Sequence, residues 1–310
     1  MKSLRNELHH WWPECVSRFW ADADGHAYMM TPDGNVVRSL PGQFGAIRNA
    51  HTIKLAKNPT VWDESFEGVF GSADSNFGAL IAWLGEVACA DGPTSGTFDK
   101  RLSPLSLSTE QHNKLADCMA SLIVRSPRFR FCIRLTTEHY RARFGMPDPT
   151  ADKSLIAMNM RNCQKTFRDA IASGGKFLVM SSAGLEFIFG DGFLHNFTSS
   201  AAAPHNPRFL IPVTPEIAVY YVKPMAYRSF PKAFAMTLRP EEVKAMNDIV
   251  QVYSERFLFY RREKPEITDE FRRGEHRQLQ YDDHPSLHEL GHAMGETHFG
   301  PDALFSRVAS

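Results

Sequence analysis

The residues with the clearest chemical potential are three histidines and a glutamate in the stretch HELGHAMGETH near the C-terminus, which has the pattern H-E-x-x-H-x-x-G-x-x-H. At i and i+4, His288 and His292 would lie one turn apart on the same helix face and could share a metal ion. Gly295 can leave the helix in a left-handed conformation, which would return His298 toward the same ion. Three neutral imidazoles leave a fourth position for water, and Glu289 is placed to accept the proton of that water.

This eleven-residue pattern resembles the zinc-binding helix of the metzincin metalloproteases. The resemblance implies that His288, His292 and His298 bind zinc and that Glu289 is the general base of a hydrolase. Metzincins also have a methionine-containing turn downstream of the third histidine, whereas residues 299–310 contain no methionine. A polar, histidine-rich chain end without a metal is the alternative interpretation of the same residues.

Composition and charge argue against several classes of protein. Lys+Arg and Asp+Glu both number 35, so net charge does not favour binding to nucleic acid or to an anionic membrane. The N-terminal sequence lacks the apolar segment of a signal peptide, and no run approaches the roughly eighteen apolar residues of a membrane span. The cysteines are odd in number and never form C-x-x-C, so we expect free thiols in a cytoplasmic protein. They are Cys15, Cys89, Cys118, Cys132 and Cys163.

The first part of the chain is predicted to form a β-hairpin followed by a helix. The Pro-Asp-Gly sequence at 32–34 is a strong turn signal between the β-prone runs 28–30 and 36–37. Apolar residues then recur at helical spacing, and Asp-Gly-Pro at 91–93 ends that helix. The apolar stripe consists of Phe77, Leu80, Ile81, Leu84 and Ala88.

The middle of the chain is predicted to be helical. Ser108 and Gln111 have the spacing of a capping box and open a helix that ends near residue 125. Two further helices are predicted over 128–144 and about 152–173.

The remaining half is predicted to contain four strands and one closing helix. Short apolar and β-branched runs separated by turn residues indicate a four-stranded antiparallel region, and helical periodicity returns over 241–260. The four runs are 177–180, 187–189, 209–211 and 217–222.

The chain from residue 261 onward is charged and poor in large apolar residues. We therefore predict an α+β protein with a single domain over 1–260 and a polar C-terminal appendage over 261–310 that carries a short histidine-rich helix.

A second resemblance covers about residues 9–260. Several short motifs in a fixed order are similar to those of a bacterial domain-of-unknown-function family, number 4238, which implies the fold of that family but no assigned activity. Where that family has Ser-Asp-Asn-Pro after a β segment, this chain has Gly190-Asp191-Gly192-Phe193 instead. The motifs are His10-Trp11-Trp12-Pro13 leading to Phe19, Arg125-Ser126-Pro127, the β segment 187–191, the pair 211–215, and Asn247 before Arg256-Phe257.

These motifs nominate five polar residues that lie within apolar or aromatic segments. Charged groups in such surroundings are usually paired, since an unpaired buried charge is costly. One interpretation joins His10 and Asp191 as acid–base or metal partners in a cleft. The other treats the set as a structural network that holds the N-terminus on the sheet. The five residues are His10, Glu14, Arg18, Arg125 and Asp191.

Other aromatic and imidazole side chains have simpler interpretations. Trp11, Trp12 and Trp20 could stack on a base or a sugar, although such a cluster is more often part of a core. The histidines His51, His195 and His205 are isolated in the sequence, and we expect satisfied loop residues. No nucleotide-binding loop or serine-hydrolase elbow is present.

The sequence therefore leaves three classes of function open. The first is a zinc-dependent hydrolase that uses the C-terminal motif. The second is an enzyme centred on His10 and Asp191, with nucleic acid as one possible substrate. The third is a binding protein without catalysis, in which the histidine-rich segment is incidental.

Overall fold

The computed structural model describes residues 8–48, 50–53, 64–88, 92–145, 150–197, 204–224, 227, 229–277 and 284–295. The helices are α1 (Glu14–Ser17), α2 (Gly71–Val87), α3 (Phe98–Arg101), α4 (Thr109–Arg125), α5 (Pro127–Phe144), α6 (Thr150–Ala172), α7 (Pro240–Tyr253), α8 (Asp269–Arg272) and α9 (Pro285–Ala293). The strands are β1 (Leu8–His10), β2 (Ala27–Met30), β3 (Val36–Ser39), β4 (Ala46–Arg48), β5 (Thr52–Ile53), β6 (Glu64–Ser65), β7 (Ser103–Leu105), β8 (Lys176–Ser182), β9 (Phe189–Gly190), β10 (Arg208–Thr214), β11 (Ile217–Val222), β12 (Ala233–Leu238) and β13 (Leu258–Tyr260).

Two sheets organise these elements. The larger has the order β10-β11-β8-β12-β7, in which β8 and β12 are parallel and the other pairs are antiparallel. The smaller is antiparallel, with the order β3-β2-β13-β9. Short pairs also join β1 to β4 and β5 to β6. Helices and mixed sheets together confirm the α+β prediction.

The N-terminal hairpin is confirmed at the predicted turn. Strands β2 and β3 pair with Met30 opposite Val36, and the turn closes through a hydrogen bond from the Gly34 N–H to the Thr31 carbonyl, 2.8 Å long. Gly34 has φ +85°, a conformation that costs glycine little because it lacks a Cβ.

The helical middle is also confirmed. The predicted stripe of α2 is buried from Phe77 to Leu84. The side chain of Ser108 accepts the Gln111 N–H, and the side chain of Gln111 accepts the Ser108 N–H, which completes the capping box of α4. Every residue of α4 from Leu115 to Arg125 is buried, so this helix lies at the centre of the core.

The prediction for the strands is correct in part. Phe189 does not join the neighbouring strands of the larger sheet, because β9 pairs with β13 in the smaller one. The predicted helix over 241–260 ends at Tyr253, and its last three residues form β13, where aromatic side chains favour a strand. Strand β12 was not predicted. It is buried along its whole length, and a run without alternation carries little strand signal.

The C-terminal segment differs from a polar appendage. In α9, Leu287, Leu290 and Met294 are buried within the main hydrophobic core, and the Tyr220 hydroxyl donates to the Leu287 carbonyl at 3.4 Å. Phe271 of α8 is fully buried in a second apolar cluster. These apolar side chains attach both helices to the body of the protein, while the predicted division at residue 260 stays a prediction.

Among the residues with described positions, no helix is both long and apolar enough to cross a membrane.

Candidate functional site

The C-terminal helix has the geometry that its spacing predicts. Pro285 occupies the first turn, where its missing N–H has no cost, and the helix runs without interruption to Ala293. His288 and His292 therefore lie one turn apart beside the buried apolar face. The chain then leaves the helix at Gly295 with φ +88°, as the pattern predicts. His298 lies outside the described residues.

A cavity of about 610 Å³ opens beside this helix. Glu289 and His292 line it from α9, and both side chains are exposed. His288 is half-buried and is not part of that lining. Within the described part of the chain, no third histidine, cysteine or carboxylate joins His288 and His292 within 4.8 Å. A complete set of ligands here therefore requires a residue such as His298.

Another part of the cavity wall, formed outside α9, carries charged side chains. Arg101 makes two hydrogen bonds to the Glu242 carboxylate, 2.7 and 3.0 Å long, and the Arg239 guanidinium makes two more, of 2.6 and 3.1 Å. Burial raises the pKa of Glu242, but these guanidinium bonds outweigh it and hold the pKa below its usual value. The wall is thus an ionised carboxylate with two cations, and Arg239 itself lines the cavity.

The five residues nominated from the core motifs have separate hydrogen-bond and ion-pair partners. The His10 ring is 3.2 Å from the Gly42 carbonyl. Glu14 is exposed, and the Arg18 guanidinium donates to the Glu14 carbonyl at 3.3 Å. These three residues therefore have local partners at the start of the chain.

Arg125, in contrast, is buried. Its guanidinium forms an ion pair of 2.8 Å with Asp74 and lies 4.1 Å from the centre of the Phe70 ring. The family-like Asn247 also has a structural position, because its amide bonds the backbone of Ile188 and Glu186 beside β9. These contacts favour the structural interpretation for both residues.

Asp191 has different partners from those that the sequence suggested. It follows β9 directly, is almost fully buried, and accepts the backbone N–H groups of Glu255 and Arg256 at 2.9 and 3.0 Å. Its hydrogen bonds therefore join the turn between α7 and β13, whereas those of His10 go to Gly42. Burial raises the pKa of Asp191 to about 7, and the nearby Glu255 carboxylate adds to the effect.

Sequence reasoning missed two groups of histidine and carboxylate side chains. In each group the possible ligand atoms lie within 4.8 Å of one another. The first, called the N-terminal cluster, consists of His9, His51 and Glu67. The second, called the corner cluster, consists of Asp191, Glu255 and His276. Their members are distant in sequence, so no spacing pattern could have connected them.

His51 and His195 are buried, and the expectation of a satisfied imidazole is met only in part at His51. Its Nδ1 bonds the Glu67 carboxylate, whereas its Nε2 has no hydrogen-bond partner among the described residues. Burial lowers the pKa of His51 to about 4 and that of His195 well below its usual value. Both rings are thus neutral near pH 7.

Trp11, Trp12 and Trp20 form part of the core. Trp12 stacks on Phe189 with ring centres 4.8 Å apart, Trp11 stacks on the same ring at 6.4 Å, and all three tryptophans are buried. Trp20 donates to the Val213 carbonyl at 3.1 Å. This cluster fixes α1 and the following turn onto the smaller sheet, and its rings present no face to a base or a sugar.

A scan of protein-family models finds no match, and searches of curated proteins and of solved structures find no significant match.

Proposed function

We propose that this protein is a zinc-dependent hydrolase whose metal ligands are His288, His292 and His298 and whose general base is Glu289. The observation that carries the proposal is the position of α9. The helix is held on the core by its apolar face, and it places Glu289 and His292 at a cavity large enough for a substrate.

The donor set is appropriate for zinc. Two imidazoles one helical turn apart are borderline-soft ligands that zinc accepts, and a third imidazole leaves an open position for water. A bound zinc ion would supply Lewis acidity and lower the pKa of a bound water.

The contribution of the chain itself is positional. Glu289 would accept a proton at its carboxylate. Arg239, in the cavity wall, would attract a carbonyl or carboxylate oxygen of the substrate. The Arg101–Glu242 ion pair keeps that wall in place through buried, charge-assisted hydrogen bonds.

Two variants separate binding from catalysis. The His288→Ala/His292→Ala double variant is expected to lose one equivalent of zinc, because at most one proposed ligand remains. Glu289→Gln is expected to keep the zinc and to lose hydrolysis of a peptide or ester substrate, because the amide cannot accept the proton. Zinc is measured by mass spectrometry on protein purified without a histidine tag.

His205→Ala is the matched control, since it removes an exposed histidine from a loop elsewhere. It should leave zinc content and hydrolysis unchanged. Equal zinc content in wild type and the double variant would exclude the α9 site. Hydrolysis that survives in Glu289→Gln would exclude the assigned base.

We also propose a cytoplasmic location and membership of domain-of-unknown-function family 4238. The location is supported by the described cysteines, Cys15, Cys118, Cys132 and Cys163, which are free thiols. Family membership is supported by the order of the short motifs over residues 9–260. Cys89 lies outside the described residues.

A further inference from the structure

The corner cluster brings together side chains from three separate elements. Asp191 follows β9, Glu255 lies just after α7, and His276 lies after α8. One nitrogen and two carboxylate oxygens from these residues are within 4.8 Å of one another. Asp191 and His276 are almost fully buried, and Glu255 is about a quarter exposed.

The direction of the hydrogen bond at His276 fixes which nitrogen faces the carboxylates. Its Nδ1 lies 3.0 Å from the Tyr253 carbonyl, which can only accept, so Nδ1 carries the proton. In the neutral ring this leaves Nε2 without a proton. Its Nε2 therefore presents a lone pair, 3.4 Å from the Glu255 carboxylate. A metal-binding histidine usually donates the N–H of its other ring nitrogen to a carbonyl or a carboxylate.

The carboxylates of Asp191 and Glu255 lie close to each other and to this nitrogen. Both oxygens of Asp191 are held by backbone N–H groups, so this side chain cannot turn away from Glu255. The nearby Arg128 guanidinium lies over the Tyr253 ring and donates to the carbonyls of Phe193 and His195, both at 3.2 Å.

At Glu255, the exposed Arg256 approaches the same carboxylate oxygen to 3.4 Å. This contact offsets part of the charge at the outer end of the cluster. It adds no hydrogen-bond donor between the Asp191 carboxylate and Nε2 of His276.

An ion has a route to this cluster. A cavity of about 630 Å³ is lined by Glu255 and His276. The remaining side chains of the lining include Phe131, Glu270, Arg273 and Arg277. Solvent and ions can therefore reach Glu255 and His276 from this cavity.

We propose that Asp191, Glu255 and His276 form a binding site for a divalent transition-metal ion. One imidazole and two carboxylates are ligands of zinc, and the same set suits manganese because of its carboxylate content. This site is independent of the histidines on α9 and does not rest on the proposed hydrolase function.

The test uses full-length, metal-stripped protein in the His288→Ala/His292→Ala background, so that α9 contributes no site. Zinc and manganese are titrated separately, zinc by calorimetry and manganese by loss of the free-ion electron paramagnetic resonance signal. One equivalent of at least one ion is expected to bind. Glu255→Gln in this background should weaken that binding by at least about tenfold.

Glu270→Gln is the matched control, because Glu270 lines the same cavity outside the cluster. It should bind the ion like the parent protein. Asp191→Asn should weaken binding as Glu255→Gln does, and circular dichroism establishes that both variants are folded.

No binding of either ion to the double-histidine background, or equal affinities of Glu255→Gln and Glu270→Gln, would overturn the corner site. The cluster would then be a proton-sharing network between His276 and Glu255. Failure of the α9 proposal has a different signature, since wild type and the double-histidine variant would then bind the same number of ions.

Discussion

The N-terminal cluster and the corner cluster contain similar residue types but use them differently. In the N-terminal cluster the backbone N–H of His51 donates to Nδ1 of His9 at 2.9 Å. The Nδ1 of the His51 ring bonds the Glu67 carboxylate. That carboxylate is therefore satisfied by the imidazole beside it. In the corner cluster the histidine proton goes to a backbone carbonyl, and the carboxylates have no imidazole proton to accept.

The surroundings reinforce this difference. The His51 ring stacks on His9 with centres 5.1 Å apart and also contacts Phe66 and Phe70 at 5.4 and 5.1 Å. The N-terminal cluster is thus held by its own hydrogen bonds and packing. The partner of each imidazole nitrogen, rather than the residue types alone, therefore decides whether such a cluster requires a cation.

Removal of the His51 ring should change stability more than any other substitution considered below. His51→Ala should lower the free energy of unfolding by about 3 kcal/mol, because it removes a fully buried ring from an aromatic contact. Urea denaturation with and without zinc measures the loss. The loss should be the same in both conditions, and a zinc-dependent loss would show that the N-terminal cluster also binds the ion.

Metal should stabilise the folded protein through the corner cluster and not through the N-terminal cluster. In the His288→Ala/His292→Ala background, zinc at one hundred times its dissociation constant should raise the free energy of unfolding by about 2.7 kcal/mol. Glu255→Gln should show a much smaller rise at the same concentration. An unchanged rise in that variant would remove the distinction between the two clusters.

Acidification should change the stability contributions of His51 and Asp191 in opposite directions. Burial lowers the pKa of His51 from 6.5 to about 4, so its contribution to stability is lost as the pH falls from 6.5 toward 4. Burial raises the pKa of Asp191 from 3.8 to about 7, so its contribution is present below pH 3.8 and is lost as the pH rises through 7. His276 has the sign of His51 and partly cancels Asp191 within the corner cluster.

Denaturation of metal-free protein at two pH values measures these contributions. His51→Gln should reduce the loss of stability between pH 6.5 and about pH 5 by roughly 2 kcal/mol, and Asp191→Asn should increase that loss. A His51→Gln variant with the pH dependence of wild type would contradict the assignment of a neutral buried ring.

In metal-free protein, substitution of Glu67 or Glu255 should have a smaller effect on stability. Glu67→Gln should cost about 1 kcal/mol, because the hydrogen bond from His51 then ends on a neutral oxygen. Glu255→Gln should cost nothing, because it removes a carboxylate that repels Asp191. Thermal unfolding of metal-free protein is sufficient for both, and a cost for Glu255→Gln as large as for Glu67→Gln would show that both clusters are self-contained.

Local patterns explain the elements that the sequence predicted correctly. The hairpin at Gly34, the capping box of Ser108 and Gln111, and the helix that carries His288 and His292 each depend on residues within a few positions of one another. Turn conformation, capping and helical periodicity act over that range, so they are readable without knowledge of the fold.

Contacts between distant segments were decided by tertiary structure. Three such contacts are the parallel pairing of β12 with β8, the position of β9 beside β13, and the burial of α9. No local sequence pattern predicts which segments come together in them. The same applies to Asp191, Glu255 and His276, which span 86 positions of the chain. The sequence determined that each residue could bind a metal or a proton. Tertiary structure decided which of these side chains lie together, because that depends on how the buried surfaces pack.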